Sequence, residues 1–233
     1  MTTQSSAVAL VTGGSAGLGR ALAGALVRRG WRVVIDARDP ARLAGAAREL
    51  GPVFPVAGDV ADPTHRRELA DVVAQLGRLD LLVNNASVLG PSPQPPLARY
   101  PLGALADVYE VNTVAPLALF QFLLPSLVSG ARVVNVSSDA AVEASAGWGG
   151  YGSAKAALDQ LTRVLAVEHP ELRVYSFDPG DMATDLHQQA FPGQDVSDRP
   201  APSTVVPALL GLIDGDLPSG RYRTADLAPA GPA

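Results

Sequence analysis

Short apolar runs alternate along the chain with stretches in which apolar residues recur at helical spacing. The runs stop at turn-forming residues, which is typical of buried strands. They predict strands at residues 7–12, 31–35, 53–57, 79–84, 132–137 and 172–177. The helical stretches are residues 17–29, 40–50, 64–75 and, in two pieces, 102–128. This alternation predicts an α/β fold with a doubly wound, mainly parallel sheet of about six or seven strands and helices on both faces.

No linker or internal repeat divides the sequence. We expect residues 1–233 to form a single domain. Breaker-rich stretches at residues 91–96 and 193–202 are expected to be loops over the sheet edge, and residues 228–233 a frayed tail.

Charge and composition exclude several classes of function. A formal net charge of −5 argues against nucleic acid or another polyanion as partner. The absence of cysteine excludes disulfides, a thiol nucleophile and thiolate metal ligands. His65, His169 and His187 lack ligand spacing, so no metal site is expected. No signal-peptide pattern opens the chain and the longest apolar run, 115–128, is broken by two prolines. A cytoplasmic protein without membrane contact is therefore expected.

A glycine-rich turn, TGGSAGLG at residues 12–19, lies between the first predicted strand and helix. Glycines allow a tight turn and a close approach of the backbone to phosphate. The helix N-terminus offers unpaired N–H groups and a positive dipole to a pyrophosphate. The spacing differs from GxGxxG, and a glycine cluster alone also fits an ordinary turn.

Three polar residues are expected at one mouth of the sheet. Ser138 lies at the end of a predicted strand, and Tyr151 and Lys155 begin the next helix. Residues four apart share a helix face, so the ammonium of Lys155 is expected beside the Tyr151 ring. A neighbouring cation lowers the pKa of a phenol, and Ser138 is placed to hydrogen-bond the oxygen that exchanges the proton. The arrangement predicts an acid–base catalyst. Taken alone, the tyrosine–lysine pair also fits a solvated helix surface.

With these segments together, the chain resembles the short-chain dehydrogenase/reductase family over nearly its whole length. The matching motifs are TGGSAGLG, Asp59-Val60, NNAS at residues 84–87, Asn112 in EVN, Ser138, YGSAK at residues 151–155 and PGDMAT at residues 179–184. The chain departs from the family pattern in two places. Ser87 replaces the last glycine of NNAG, which is expected to crowd the turn, and SGRYRTADL lacks the usual closing glycine pair.

The resemblance implies a Rossmann-like fold and an NAD(P)-dependent enzyme that reduces a small or medium ketone or aldehyde, or oxidises the secondary alcohol. It implies a catalytic set of Asn112, Ser138, Tyr151 and Lys155. Tyr151 would be the general acid or base, Ser138 would orient the substrate oxygen, and Asn112 would kink its helix to hold a proton-relay water. Lys155 would lower the pKa of Tyr151 and hold the nicotinamide ribose. The implied cofactor-binding residues are Gly13, Ser15, Gly17, Leu18, Gly19, Arg38, Asp59, Val60, Asn85, Ala86, Tyr151, Lys155, Pro179, Gly180, Met182 and Thr184.

NADP(H) is favoured over NAD(H) by the residues after the second strand, Asp36-Ala37-Arg38. The family's discriminating acid position falls on Ala37, and Arg38 falls where NADP-binding members place an arginine. Strand side chains alternate, so Asp36 is expected to face away from Ala37's side. Arg38 is then free to pair with the 2′-phosphate, and Ser15 to add a hydrogen bond. The alternative is that Asp36 binds the ribose of NAD(H) and Arg38 is solvated.

Substrate and assembly are less constrained. Loops at residues 87–97, 139–150 and 184–202 are expected to frame the substrate, where Trp148 and Phe191 line an apolar pocket or serve only in packing. The resemblance implies a homodimer or homotetramer. Two other functions remain: a dinucleotide sensor without catalysis on the same fold, or a sugar-nucleotide epimerase or dehydratase. The latter expects a larger C-terminal region than the 49 residues that follow Thr184.

Overall fold

Seven strands form one sheet in the computed structural model, which describes residues 6–227. The strands are Val8–Val11 (β1), Arg32–Ala37 (β2), Val53–Ala57 (β3), Leu79–Asn84 (β4), Leu127–Val136 (β5), Arg173–Asp178 (β6) and Gly220–Arg223 (β7). Their order across the sheet is β3-β2-β1-β4-β5-β6-β7, and every neighbouring pair is parallel. The order reverses between β1 and β4, so a crevice opens at the carboxyl ends of the strands.

Helices connect the strands and cover both faces of the sheet. They are Gly17–Arg28 (α1), Pro40–Leu50 (α2), Pro63–Leu76 (α3), Leu102–Tyr109 (α4), Ala115–Leu123 (α5), Gly149–Glu168 (α6), Asp185–Ala190 (α7), Val206–Asp214 (α8) and Thr224–Leu227 (α9). Side chains cap α2, α3 and α7, through Asp39, Asp62 and Thr184. Helix α1 has no side-chain cap, so its first N–H groups stay available to a ligand.

Two apolar clusters, one on each face, hold the helices to the sheet. Alternate residues of β1 belong to different clusters: Val11 packs with Leu22 of α1, and Leu10 with Leu119 of α5. Each fully buried leucine contributes roughly 1.5–3 kcal/mol relative to an exposed one. The clusters therefore fix α1 and α5 against the strands whose ends form the crevice.

The predicted fold class is confirmed, and the sheet is entirely parallel. Several details differ from the sequence interpretation. The α-helical part of the stretch at 102–128 ends at Leu123 and a 3₁₀ turn, Leu124–Ser126, follows, because Pro125 lies there and Leu127 already pairs with Leu79 in the sheet. Strand β5 ends at Val136, two residues before Ser138. The segment without the closing glycine pair supplies β7, which had not been predicted as a strand.

No helix between residues 6 and 227 is long and apolar enough to cross a bilayer. The proposed frayed tail at 228–233 lies outside the described residues.

Candidate active site

A cleft of about 980 Å³ lies at the carboxyl ends of the strands. It joins the turn after β1, the start of α6 and the segment after β6, which are far apart in the sequence. The predicted residues that line it are Gly13, Gly17, Leu18, Asn85, Ala86, Ser138, Tyr151, Lys155, Pro179, Gly180, Met182 and Thr184. Six others do not: Ser15, Gly19, Arg38, Asp59, Val60 and Asn112.

The turn before α1 has the geometry of a phosphate cradle. Gly13 and Gly17 have positive φ values of 67° and 55°, which side-chain-bearing residues rarely adopt. A Cβ at Gly19 would lie 2.5 Å from Asn85 Nδ2 and 2.6 Å from the carbonyl oxygen of Gly13. Asn85 Nδ2 in turn donates to the Thr12 carbonyl oxygen at 2.8 Å. At the uncapped start of α1 the glycines thus leave room for a close approach to the backbone, which fits a bound pyrophosphate.

Asp36 faces inward, as the alternation of β2 predicts, and is buried. Its Oδ1 accepts from the N–H of Gly13 at 2.7 Å, and its Oδ2 lies 3.1 Å from Nε2 of buried His65. Burial raises the pKa of Asp36, while hydrogen bonds to His65 and Gly13 oppose that rise. Burial lowers the pKa of His65, but its contacts with Asp36 and Glu68 outweigh this and raise it. The carboxylate of Asp36 therefore holds the glycine turn in place through Gly13, and it is not free to bind a ribose.

Tyr151 and Lys155 lie together on the buried face of α6. Lys155 Nζ is 5.6 Å from the centre of the Tyr151 ring and donates to the carbonyl oxygen of Val136 at 2.8 Å. Both side chains are almost fully buried. The ammonium therefore lies beside the ring, as the spacing predicts, and points to the end of β5 rather than to solvent.

The pKa of Tyr151 differs from the sequence prediction. Burial raises it to about 12, while the hydroxyls of Ser87 and Ser138 lower it and the charges of Asp139 and Asp178 raise it. The net lowering of the Tyr151 pKa that the sequence predicts is wrong for this structure, because burial is the largest influence on the phenol. Burial also lowers the pKa of Lys155 to about 8, although the charge of Asp159 acts to raise it. Lys155 therefore holds its proton less tightly than an exposed lysine does.

Asn112 lies in a π-helical turn, Glu110–Val114, between α4 and α5. Its Oδ1 accepts from the N–H of Val88 at 2.9 Å and from Ser87 Oγ at 3.1 Å, and its Nδ2 donates to the Val88 carbonyl oxygen. Buried Asn112 thus lies where the helix is interrupted and fixes the segment after β4, and its proton-relay role stays a prediction.

Ser87 is a site residue that the sequence analysis treated only as a steric departure. Its hydroxyl donates to Asn112 and lies close enough to Tyr151 to lower the pKa of the phenol. A hydroxyl at the end of the NNAS motif was the available signal, because strand ends in this fold face the crevice.

The other sequence-predicted residues have structural contacts of their own. Ser138 Oγ donates to Asp139 Oδ1 at 2.8 Å. Asp59 accepts from the N–H of Ala61, and Val60 is buried, with its carbonyl oxygen bonded to Arg66. Arg38 is exposed directly after β2. The adenine-side assignments of Asp59 and Val60 therefore remain predictions.

Trp148 lines the cleft beside Tyr151, whereas Phe191 is not among the lining residues and packs against Trp148. Trp148 contacts the Tyr151 ring edge-on at 5.9 Å between centroids and Phe191 at 6.1 Å. Phe191 also packs on His187, at 4.9 Å. Thr184 Oγ1 caps α7 by accepting from the N–H of His187. Between residues 6 and 227 no group of three or more histidine and acidic side chains is suited to a metal ion.

A model of the short chain dehydrogenase family matches residues 7–195, which is most of the chain. The chain belongs to this family. The predicted class of NAD(P)-dependent oxidoreductase is therefore confirmed at the level of the family.

Curated members of the short-chain dehydrogenase family resemble the chain over much of its length. A rhamnolipid-biosynthesis 3-oxoacyl-(acyl-carrier-protein) reductase of Pseudomonas aeruginosa is 38% identical over 172 residues, covering 69% of this chain and 66% of that protein. The match thus spans just under two thirds of the Pseudomonas protein. Mouse sepiapterin reductase is 34% identical over 202 residues, covering 79% of this chain and 77% of that protein.

Solved short-chain dehydrogenases share the fold. One from Shigella flexneri, complexed with NADP, superposes with a TM-score of 0.87 at 28% identity, covering 94% of this chain and 97% of that one. Another from Escherichia coli, complexed with NADPH, gives 0.87 at 29% identity, with 94% and 96% covered. A nicotinamide dinucleotide as cofactor is thus confirmed for the family, and the glycine cradle fits its pyrophosphate.

We predict that Gly19→Val weakens NADPH binding by at least about 10-fold and lowers the melting temperature. The added side chain would collide with the backbone of Gly13 and displace Asn85, and overpacking costs about 1–3 kcal/mol. Gly45→Ala in α2 is the control, because only the end of Arg48 lies within 4 Å of the new Cβ. It is expected to leave binding unchanged and to stabilise the helix by roughly 0.5–1 kcal/mol. NADPH fluorescence titration and thermal unfolding measure both; equal affinities would contradict the cradle assignment.

Proposed function

We propose that this short-chain dehydrogenase transfers a hydride between NADP(H) and a small or medium ketone, aldehyde or secondary alcohol. One observation carries the proposal: the buried hydroxyl of Tyr151 lies at the cleft with hydroxyls of Ser87 and Ser138 close by and the amine of Lys155 beside its ring. An acid–base group, hydrogen-bond donors and a cation are thus grouped next to a cradle for a dinucleotide.

The geometry supports a division of roles in carbonyl reduction. When bound, the reduced nicotinamide supplies a hydride to the carbonyl carbon. Tyr151 donates its hydroxyl proton to the carbonyl oxygen, and a pKa of about 12 keeps that proton in place at neutral pH. Ser138 orients the carbonyl oxygen of the substrate by donating a hydrogen bond to it. In the structure, Asp139 Oδ1 accepts the hydrogen bond from this hydroxyl. Lys155 stabilises the phenolate that forms.

Lys155 also holds the cofactor in this proposal, through hydrogen bonds to the nicotinamide ribose. Gly13, Gly17 and Leu18 would receive the pyrophosphate at the start of α1. The segment from Pro179 to Thr184 lines the same cleft and would hold the nicotinamide. Asn112 supports the site from outside the cleft, because it holds the Val88 backbone through two hydrogen bonds and the Ser87 hydroxyl through a third.

The substrate side of the cleft favours a compound with an apolar or planar portion next to its carbonyl. Trp148 lines the cleft beside Tyr151, and Phe191 packs against Trp148 outside the lining. The curated relatives are named as a 3-oxoacyl-(acyl-carrier-protein) reductase and a sepiapterin reductase. The two names denote reductases of chemically unlike compounds, so a varied panel of carbonyl compounds is the appropriate search.

A panel of ketones and aldehydes, followed by NADPH absorbance, tests the proposed function. We expect NADPH consumption with at least one carbonyl class, and NADP⁺ reduction with the matching alcohol. Tight NADPH binding without turnover on any member would instead support a dinucleotide sensor on the same fold.

We propose that the cofactor is NADP(H) because Asp36, the acid that would favour NAD(H), is buried against Gly13 and His65. We predict that Arg38→Ala raises the KM for NADPH by roughly 10- to 100-fold and leaves the KM for NADH within about 2-fold. Hydrogen bonds to a charged group contribute about 1.5–3 kcal/mol, and only NADPH carries the 2′-phosphate. Arg48→Ala, an exposed arginine at the far end of α2, is the control. Equal losses for both cofactors, or none, would contradict the assignment.

We further propose that the chain acts as one cytoplasmic catalytic domain and self-associates through α4, α5 and α6. Exposed apolar side chains on and between these helices support this surface: Val114, Phe122, Val164 and Val167. A monomeric mass in solution at micromolar concentration would contradict the self-association.

A further inference from the structure

One arginine side chain joins three parts of the active-site edge. Arg221 lies on β7, the edge strand, opposite Ser176 of β6. Its Nε donates to Asp159 Oδ2 at 3.1 Å, and its Nη2 donates to Asp178 Oδ2 at 2.8 Å and to the backbone carbonyl oxygen of Ser138 at 3.0 Å. The guanidinium therefore bridges α6, the end of β6 and Ser138, which lies two residues beyond β5.

Each of these contacts leads directly to a group of the site. Asp178 uses its other oxygen to accept from the N–H of Gly180 at 3.0 Å, which fixes the start of the segment after β6. Asp159 lies one helical turn beyond Lys155, and its charge acts on that amine. The carbonyl oxygen of Ser138 belongs to the residue whose hydroxyl lies near Tyr151.

Arginine is the side chain that suits this position. Both carboxylates are almost completely buried, with 2% of the Asp159 side chain and 4% of the Asp178 side chain exposed. Buried carboxylates need a paired cation, and a planar guanidinium serves several acceptors at once, whereas an ammonium is a point charge. The second oxygen of Asp159 has no hydrogen-bond partner among residues 6–227, so Arg221 is its main compensation.

We propose that Arg221 is a positioning residue for the reaction, holding Ser138, Lys155 and the segment after β6 in register from the edge strand. The proposal rests on the proposed function for its kinetic consequence. The proposal also assigns a role to the C-terminal stretch SGRYRTADL, which departs from the family pattern. Strand β7 lies in this stretch and brings Arg221 to the site.

Removing Arg221 leaves two buried carboxylates without their cation. The charged and hydrogen-bonding groups that face Tyr151 are Ser87, Ser138, Asp139, Asp178 and Lys155. Unpaired Asp178 would raise the pKa of Tyr151 further, and unpaired Asp159 would raise the pKa of Lys155 above its present value of about 8.

Lys155 is the only lysine in the sequence, so lysine labelled with ¹³C at Cε gives a single side-chain signal. We expect the titration of that signal in Arg221→Met to move upward by about half a pH unit or more. Arg221→Met/Asp159→Asn should reverse the shift, because it removes the unpaired charge. This readout does not depend on any substrate, so it judges the proposal even if the panel reveals no turnover.

Steady-state kinetics complete the test, with the carbonyl compound of the panel that the wild-type protein reduces fastest. We expect Arg221→Met to lower kcat by roughly 10- to 100-fold with a smaller change in the KM for NADPH, and Arg221→Lys to recover little of it. Arg223→Met is the matched control: Arg223 lies on the same strand, is exposed and pairs only with Asp226 among residues 6–227.

Two results would overturn the proposal. The first is a folded Arg221→Met protein with an unmoved Lys155 titration, or with unchanged turnover where the wild type is active. If that variant does not fold, Arg221→Gln takes its place, and the same unchanged values would overturn it. The second is failure of both variants to fold, which would make Arg221 a determinant of folding rather than a positioning residue.

Discussion

Tyr151→Phe is expected to lower kcat/KM for carbonyl reduction by roughly 100- to 10,000-fold while the Kd for NADPH stays within about 3-fold. General acid catalysis contributes about that range, and the substitution removes the proton donor alone. The phenyl ring keeps the edge contact with Trp148 and the position beside Lys155, so the cleft retains its shape. Steady-state kinetics and fluorescence titration with NADPH measure the two quantities separately.

Tyr222→Phe is the control for the loss of a phenol. The Tyr222 hydroxyl donates to the carbonyl oxygen of Pro218 at an exposed site outside the cleft. Its removal should leave both kcat/KM and NADPH affinity near the wild-type values. If Tyr151→Phe behaves like this control, another group supplies the proton.

Lys155→Met is expected to lower kcat by at least about 100-fold and to raise the KM for NADPH by roughly 10-fold. The first effect follows from losing the cation that stabilises the phenolate, and the second from losing charged hydrogen bonds to the ribose. Both parameters should therefore change, in contrast to Tyr151→Phe, where binding is preserved. Steady-state kinetics with NADPH and the best carbonyl provide the measurement.

Arg163→Met serves as the control for Lys155→Met, because Arg163 is exposed on the same helix. Lys155→Arg keeps a cation but enlarges a group that is buried against Val136, so only partial activity is expected. Full activity of Lys155→Met would remove Lys155 from the mechanism.

Much of the fold was predictable because local signals agreed with one another. The bounds of β3 and β4 and of α2 match the sequence prediction, since each is a short apolar run or a capped amphipathic stretch between breakers. The three polar residues at the mouth were also predictable, because helical spacing fixes Tyr151 relative to Lys155 and strand ends meet at one edge.

Burial and pairing across the sheet were not readable from the sequence. The neighbour of Tyr151 was predictable, but the degree of burial that raises its pKa depends on packing from α6, the segment after β4 and Trp148. Strand β7 has only four residues, and its sequence GRYR contains one apolar residue, so no hydrophobic run marked it. The contacts of Arg221 arise from pairing between β6 and β7, which no local pattern encodes.

The most direct test of the account is a single turnover with the NADPH complex already formed. Wild-type protein and Tyr151→Phe are each mixed with the best carbonyl of the panel, and loss of the bound dihydronicotinamide absorbance is followed. The account predicts stoichiometric loss in the wild type and at least about 100-fold slower loss in Tyr151→Phe. Equal rates in the two proteins would contradict Tyr151 as the proton donor.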